Sequence, residues 1–358
     1  VRIGITGLPF LGKSTVLAAL AGASMPTTKH GEAARATVAV PDPRLDRLAT
    51  DYGPKKVTPA TVEYVEVGGG LGAQATAGFD PVHLQQLRTS DVLLVVVRAF
   101  DEPSVPHPKG RIDATADLSN LATELMLADQ LLLDTQQERL SRTVKLKKDP
   151  EAERRLALVD KLLLVLSEGT PAQAVALSPQ EVYAERDWGL LTKKPVMVCV
   201  NIGDEDERDV EGWSRRMSEA GGGLVSDVRV MAARLEREIA ELEPTEREAF
   251  LSDIGVAESA ADRVVRASHE SAGLITFFTA NEREVRATTV PEGTTTLDAA
   301  GAVHSDMARG FIRAEVLSYE EYESLGGWSA AKSAGRVRVE GKESIVSDGD
   351  ILFIRFNV

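Results

Sequence analysis

The 358-residue chain has a single cysteine, Cys199. That excludes an intrachain disulfide and any structural zinc site needing two or more thiolates, and a reducing, cytoplasmic setting is expected. Positive charge is in deficit, with 41 Lys and Arg against 55 Asp and Glu and a formal net charge of −14. Unspecific attraction to nucleic acid or to an anionic membrane is therefore not expected, although a local basic patch remains open. Long hydrophobic runs are missing too. Apolar runs stop at a strand's length, as at Val92 to Val97, far short of the ~20 residues of a membrane helix. β-rich residues begin at Val1, so a secretory signal is not expected.

The length predicts two or three domains of ordinary composition. Strand-like runs at Val1 to Thr6, Ala36 to Val40, Val62 to Val67, Asp91 to Arg98, Val196 to Val200 and Ser226 to Met231 interleave with helical stretches. Pro41 to Arg44 reads as a turn between two of them. That texture predicts an α/β fold with a doubly wound, mostly parallel sheet. Between the fourth and fifth of these strands lies a long helical stretch from Leu118 to about Lys148, with Leu121, Leu125, Ala128 and Leu132 on one face. Asp149-Pro150 breaks it. A second helix follows, with Leu156, Val159, Leu163 and Leu166 in line, so the pair predicts an antiparallel, coiled-coil-like hairpin. From Leu274 onward short strands around one helix, Thr296 to Ala308, predict a small α+β domain.

Gly7-Leu8-Pro9-Phe10-Leu11-Gly12-Lys13-Ser14-Thr15 fits GxxxxGK(S/T), with an apolar strand before it and a helix after it. The glycines let successive N–H groups turn towards phosphate oxygens, and the positive end of the following helix adds to that field. Lys13 would neutralise the terminal phosphates and stabilise developing charge; Ser14 would ligate Mg2+. An acid after a later strand should complete the metal shell. Glu66, followed by Val67-Gly68-Gly69, is the candidate, with the Gly69 amide towards the γ-phosphate. Base reading is expected at a strand end, where guanine-specific proteins carry Asn-Lys-x-Asp. This chain has Asn201-Ile202-Gly203-Asp204. The Asn is present, the Lys is not, and an acid holds the last place, so guanine and adenine both remain open.

These residues resemble the Obg-like ATPases of the YchF type over nearly the whole chain. The resemblance is carried by Gly7-Leu8-Pro9 with Gly12-Lys13-Ser14-Thr15, Pro41-Asp42-Pro43-Arg44-Leu45, Glu124 to Asp129 and Glu238 to Leu242. It continues in Thr276 to Ala280, Glu284 to Ala287, Gly310 to Ala314 and the closing Phe356-Asn357-Val358. It implies a P-loop G domain over 1–115 and 190–272, a helical hairpin inserted at 116–189, and a TGS domain of β-grasp shape over 273–358. It also implies ATP in preference to GTP, because that family carries Asn-x-x-Glu at the base-reading site. Association with the ribosome, at its large subunit, is implied through the hairpin and the TGS domain. By position, Met231-Ala232-Ala233 match the loop that lies against the base, and a switch I threonine, at Thr27 or Thr28, would join Ser14 and Glu66 at the metal.

Departures are visible. Phe10 stands where the family has Asn, Glu66 where Asp is usual, and Gly70 where a hydrophobic residue replaces the catalytic Gln of Ras-like enzymes. Three readings compete: a slow Mg2+-dependent ATPase that associates with ribosomes, a nucleotide-loaded scaffold with little hydrolysis, and a GTPase read from Asp204. Cys199 is expected in the core, and His83 in a surface or capping role. RNA contact through the TGS domain would need a small patch such as Arg309 and Arg313, or Arg336 and Arg338.

Overall fold

The computed structural model describes residues 1–22, 34–67, 79–147, 149–204 and 209–357. The strands are β1 (Arg2–Thr6), β2 (Arg35–Ala39), β3 (Lys56–Thr58), β4 (Thr61–Glu66), β5 (Val92–Arg98), β6 (Val196–Asn201), β7 (Val225–Met231), β8 (Leu274–Ala280), β9 (Glu284–Pro291), β10 (Phe311–Ser318), β11 (Arg338–Glu340) and β12 (Asp350–Phe356). The helices are α1 (Lys13–Ala21), α2 (Pro43–Tyr52), α3 (Pro81–Arg88), α4 (Ala114–Leu146), α5 (Pro150–Ser167), α6 (Pro179–Glu185), α7 (Val210–Ala220), α8 (Ala233–Ala240), α9 (Pro244–Asp253), α10 (Ala260–Ser271), α11 (Thr296–Val303), α12 (Ser305–Arg309), α13 (Tyr319–Leu325) and α14 (Trp328–Ser333). Two compact units result, one of residues 1–38 and 63–271, the other of 39–62 and 272–358.

The first unit is built on a sheet of order β2-β4-β1-β5-β6-β7, in which β4, β1, β5, β6 and β7 run parallel. Every residue of β5 and β6 is buried, which is why both read as unbroken apolar runs: helices cover both faces of the sheet. β2, at the edge, alternates exposed and buried residues instead. The expected doubly wound α/β architecture is what forms.

α4 and α5 are the expected helical pair. Asp113 and Asp149 cap them, and Pro150 occupies the first turn of α5. The Gln137 amide donates to Asp160 Oδ1 at 2.6 Å across the pair. The buried line differs from the predicted one. Leu121 and Leu125 are buried, but Ala128 and Leu132 are half-buried, and Leu118, Leu133 and Leu140 point inward with them. In α5, Leu158 and Leu162 join Val159 and Leu166 in the interior, while Leu156 and Leu163 sit at its border. The reason is that α4 has two partners in succession. Ala114 to Leu125 pack on β5, β6 and β7, whereas Leu133 and Leu140 pack on α5 and on Trp188 and Leu190. A single stripe cannot serve both.

The second unit has a sheet of order β11-β10-β12-β8-β9-β3. Its centre pairs β12 parallel with β8; β9 joins β8, β10 joins β12 and β11 joins β10, all antiparallel. Ala299 and Ala300 of α11 press onto Phe277, Val316 and Leu352. The expected single helix at 296–308 is broken at His304, whose ring Nδ1 accepts the Asp306 N–H at 3.2 Å.

Segment 39–62, assigned by sequence to the nucleotide-binding part, contributes α2 and β3 to this second unit. Pro41 to Arg44 is therefore not only a turn. Asp42 accepts the Arg44 N–H and Pro43 opens α2, the same signature that starts many helices. β3 was not visible because three residues, paired parallel with β9, carry no periodicity.

Candidate functional site

Gly7 follows β1 with φ 142°, and a Cβ there would stand 2.5 Å from the Val96 carbonyl oxygen. Gly12 has φ 90° and ends the loop, and a side chain at this position would collide with the Asn201 amide. Only glycine satisfies both the torsion and the close approach. Between them Leu8 and Leu11 are buried anchors, Pro9 is half-buried, and Phe10 is 60% exposed with φ 64°.

Lys13 opens α1 and is 8% exposed. Its Nζ donates to the carbonyls of Gly7, at 3.1 Å, and Leu8, at 2.8 Å. Burial pushes its pKa below the ordinary value, and the field of Glu66 acts in the opposite sense. The α1 terminus has no side-chain cap and no acid in its first turn. Its N–H groups and the lysine thus present positive charge to the loop, the requirement for holding phosphate. The next two side chains, Ser14 and Thr15, are exposed and half-buried.

The register of β4 on β1 puts Glu66 opposite Ile5, at the mouth of the loop. Ser14 Oγ donates to Glu66 Oε1 at 2.8 Å. A hydroxyl and a carboxylate meeting beside a phosphate loop are hard oxygen donors that fit Mg2+. Among the described residues no group of three or more His, Cys, Asp or Glu side chains could hold a metal by itself. Thr27, Thr28, Gly69 and Gly70 lie outside the described residues.

Asn201 is the junction of the site. It ends β6, is 4% exposed, donates through Nδ2 to the Leu11 carbonyl at 3.1 Å and accepts the Ala233 N–H at 3.1 Å. It joins the phosphate loop to the start of α8. Met231, Ala232 and Ile202 are buried, and the Ile202 N–H donates to the Met231 carbonyl. Asp204 departs from what its position suggests. Its Oδ2 accepts the Nε–H of Arg234 at 2.6 Å.

Sequence reasoning missed three groups. Arg98, closing β5, is 1% exposed and gives its donors to the carbonyls of Phe100 (3.0 Å), Val105 (2.9 Å) and Glu102 (3.2 Å), with the Phe10 carbonyl at 3.5 Å. A cation ending a buried apolar run was the available signal. The second is Arg234, beside Ala233. The third is the buried Asp129, which joins α3, α4 and residues 189–192. Cys199 is buried, with its thiol pushed up to about 12 by desolvation, so it is inert core. His83 lies half-buried on α3. Of the four arginines considered for RNA contact, Arg309 pairs with Asp306, Arg336 with Glu321, and Arg338 with Asp350 and Glu340. Arg313 is exposed and makes no ion pair among the described residues. No helix of the described residues is long and apolar enough to cross a membrane.

The chain is similar to known proteins over nearly its whole length. Residues 274–357 match the family model YchF-GTPase_C, described as a protein of unknown function. The chain is 36% identical to the ribosome-binding ATPase YchF of Bacillus subtilis, over 99% of each chain. It is 38% identical to the protein of that name from Haemophilus ducreyi, over 100% of this chain and 99% of that one. Identity to the Obg-like ATPase 1 of rice is 31%, over 100% of this chain and 92% of the relative. Among solved structures, the Schizosaccharomyces pombe YchF GTPase superposes with a TM-score of 0.86 at 26% identity, covering 99% of this chain and 97% of the other. The printed names thus divide between ATP and GTP.

Proposed function

The chain belongs to the YchF family, and from that premise we propose that it is a slow, Mg2+-dependent ATPase of the cytoplasm that associates with the ribosome at its large subunit. The observation that carries the reading is the convergence of Lys13, the uncapped α1 terminus and the Ser14–Glu66 pair on one glycine-shaped loop. ATP and the ribosome come from the names of the curated relatives.

Phosphoryl transfer asks mainly for positioning and charge stabilisation. Gly7 and Gly12 let the loop's N–H groups approach the phosphates. Lys13, now held by two carbonyls, exchanges them for phosphate oxygens and follows the charge as it moves to the leaving group. Ser14 and Glu66, with Thr28, would hold Mg2+, which when bound neutralises phosphate charge. The Gly69 amide would contact the γ-phosphate. Asn201 keeps the loop in register with the base end, formed by Ile202, Met231, Ala232 and Ala233. No Ras-type Gln is present at Gly70, so intrinsic turnover should be slow. We assign 116–189 as an inserted hairpin and 273–358, with 39–62 added to its sheet, as a TGS domain. Arg313 is the arginine best placed for RNA contact.

Purified chain titrated with ATP and GTP in the presence of Mg2+, with phosphate release followed, tests the assignment. Slow release from ATP that Lys13→Ala abolishes supports it. Tight binding without release, alone or with ribosomes, would replace it with a scaffold role. Co-sedimentation with the large subunit checks the ribosomal part, and failure in every nucleotide state would remove it.

A further inference from the structure

Asp204 holds the place from which a carboxylate reads guanine, through two hydrogen bonds from N1–H and N2–H. By residue type alone an acid in this place keeps guanine open beside adenine. The carboxylate is not presented free, however. Oδ2 accepts the Arg234 Nε–H at 2.6 Å, and Arg234 Nη2 closes on the same oxygen. Arg234 is not placed at random on the surface. It is the second residue of α8, directly after Ala233, whose N–H is fixed by Asn201, which in turn is fixed to Leu11 of the phosphate loop. Two further acids, Glu102 and Glu238, lie in its field.

We infer that Arg234 is a specificity-determining residue, which occupies Oδ2 of Asp204 with two donors and leaves only Oδ1, with the guanidinium next to it, for a base. The inference rests on the nucleotide-binding reading above. Guanine offers two adjacent donors on its Watson–Crick edge. One would meet Asp204 Oδ1; the other would find Oδ2 already taken by Arg234 and go unpaired. Adenine offers an acceptor at N1 and a donor at N6, which the pair can satisfy. The acid of a guanine reader is thus present in sequence and withdrawn in structure.

The pair is partly exposed, with side-chain exposures of 65% for Arg234 and 22% for Asp204. Its effect is therefore a bias and not an absolute filter, on the order of fivefold from ion pairing and larger by the unpaired donor. Arg234 points outward from the first turn of a helix, so Arg234→Ala should fold normally.

Equilibrium titrations of the full chain with ATP, GTP and ITP, each with Mg2+, test this. Arg234→Ala should raise GTP affinity relative to ATP by about fivefold or more. The gain should be smaller for ITP, which lacks the 2-amino donor. Adding Asp204→Ala should erase it. A GTP-to-ATP ratio within about twofold of wild type in Arg234→Ala, an equal gain for ITP, or a gain that survives Asp204→Ala would each overturn the inference. A wild-type chain that binds none of the three nucleotides is a different result: it removes the nucleotide-binding reading itself, and the inference with it.

Discussion

Phe10 is, among the described residues, the one non-glycine with a left-handed backbone, φ 64°, and it sits in the middle of the phosphate loop. A bulky side chain there carries a strain of about 1–2 kcal/mol that Asn tolerates better. Being 60% exposed, its ring returns little by burial. Phe10→Asn should therefore raise stability by up to about 1 kcal/mol, read as a higher urea midpoint; a loss of stability would show that the ring has a partner it needs. Lys13 shows the opposite balance. Its charge is buried against two carbonyls with no contacting carboxylate, and burial lowers its pKa. Lys13→Ala should leave thermal stability without nucleotide unchanged or higher while abolishing nucleotide binding, separating a functional charge from a structural one.

Among elements, α3, α4 and residues 189–192 meet at Asp129, which has no solvent exposure. It accepts the N–H groups of Leu191 (2.9 Å) and Thr192 (2.8 Å), the Thr192 hydroxyl (2.8 Å) and an Arg88 Nη1–H (3.0 Å). Arg88 also reaches the carbonyls of Ala128 and Gly189. Asp129→Ala leaves a buried guanidinium and two N–H groups uncompensated and should cost about 3–5 kcal/mol in chemical denaturation. A cost near zero would mean the hairpin base is held by apolar contacts alone. In the second unit, Glu284 ties β3 to β9. It accepts from the Thr58 hydroxyl at 2.6 Å and the Arg286 guanidinium at 2.9 Å, and lies 3.3 Å from Lys56 Nζ. The Thr58 hydrogen bond foremost, with Arg286 and Lys56, brings its pKa down to about 2 from an ordinary 4.5. A carboxylate depressed in the folded state contributes stability that is complete above the unfolded value and is lost as pH falls through the folded one. Wild type should exceed Glu284→Gln in stability at pH 7, and the two should converge between pH 4.5 and 2. Parallel curves over that range would remove Glu284 as the cause.

For the whole molecule, the chain visits its second unit early, at 39–62, and returns to it only at 272. Arg44 is central to that visit: it reaches Asp42 and Asp348, and its guanidinium lies 5.2 Å from the Phe278 ring centroid. Tyr322 adds a hydrogen bond to Asp51 at 3.0 Å. Arg44→Ala should loosen 39–62, making it the first segment cut in limited proteolysis; an unchanged cleavage pattern would show that β3 pairing suffices without Arg44.

The phosphate loop, the parallel strands and the paired helices were legible because each is local. Glycine torsions, a lysine and a hydroxyl at fixed spacing, and apolar runs of strand or helix period depend on near neighbours in the chain. The placement of α2 and β3, the two-partner burial of α4, and the Asp129 and Arg98 networks were not legible. Each joins groups far apart in sequence, where no period links them. The carboxyl end of β6 shows the division within a few residues. Sequence alone determined that Asn201 and an acid at Asp204 would stand at the end of a buried strand. Only the tertiary structure decided that Arg234, thirty residues on, would take that acid's oxygen, because the parallel pairing of β6 with β7 brings the start of α8 beside the end of β6.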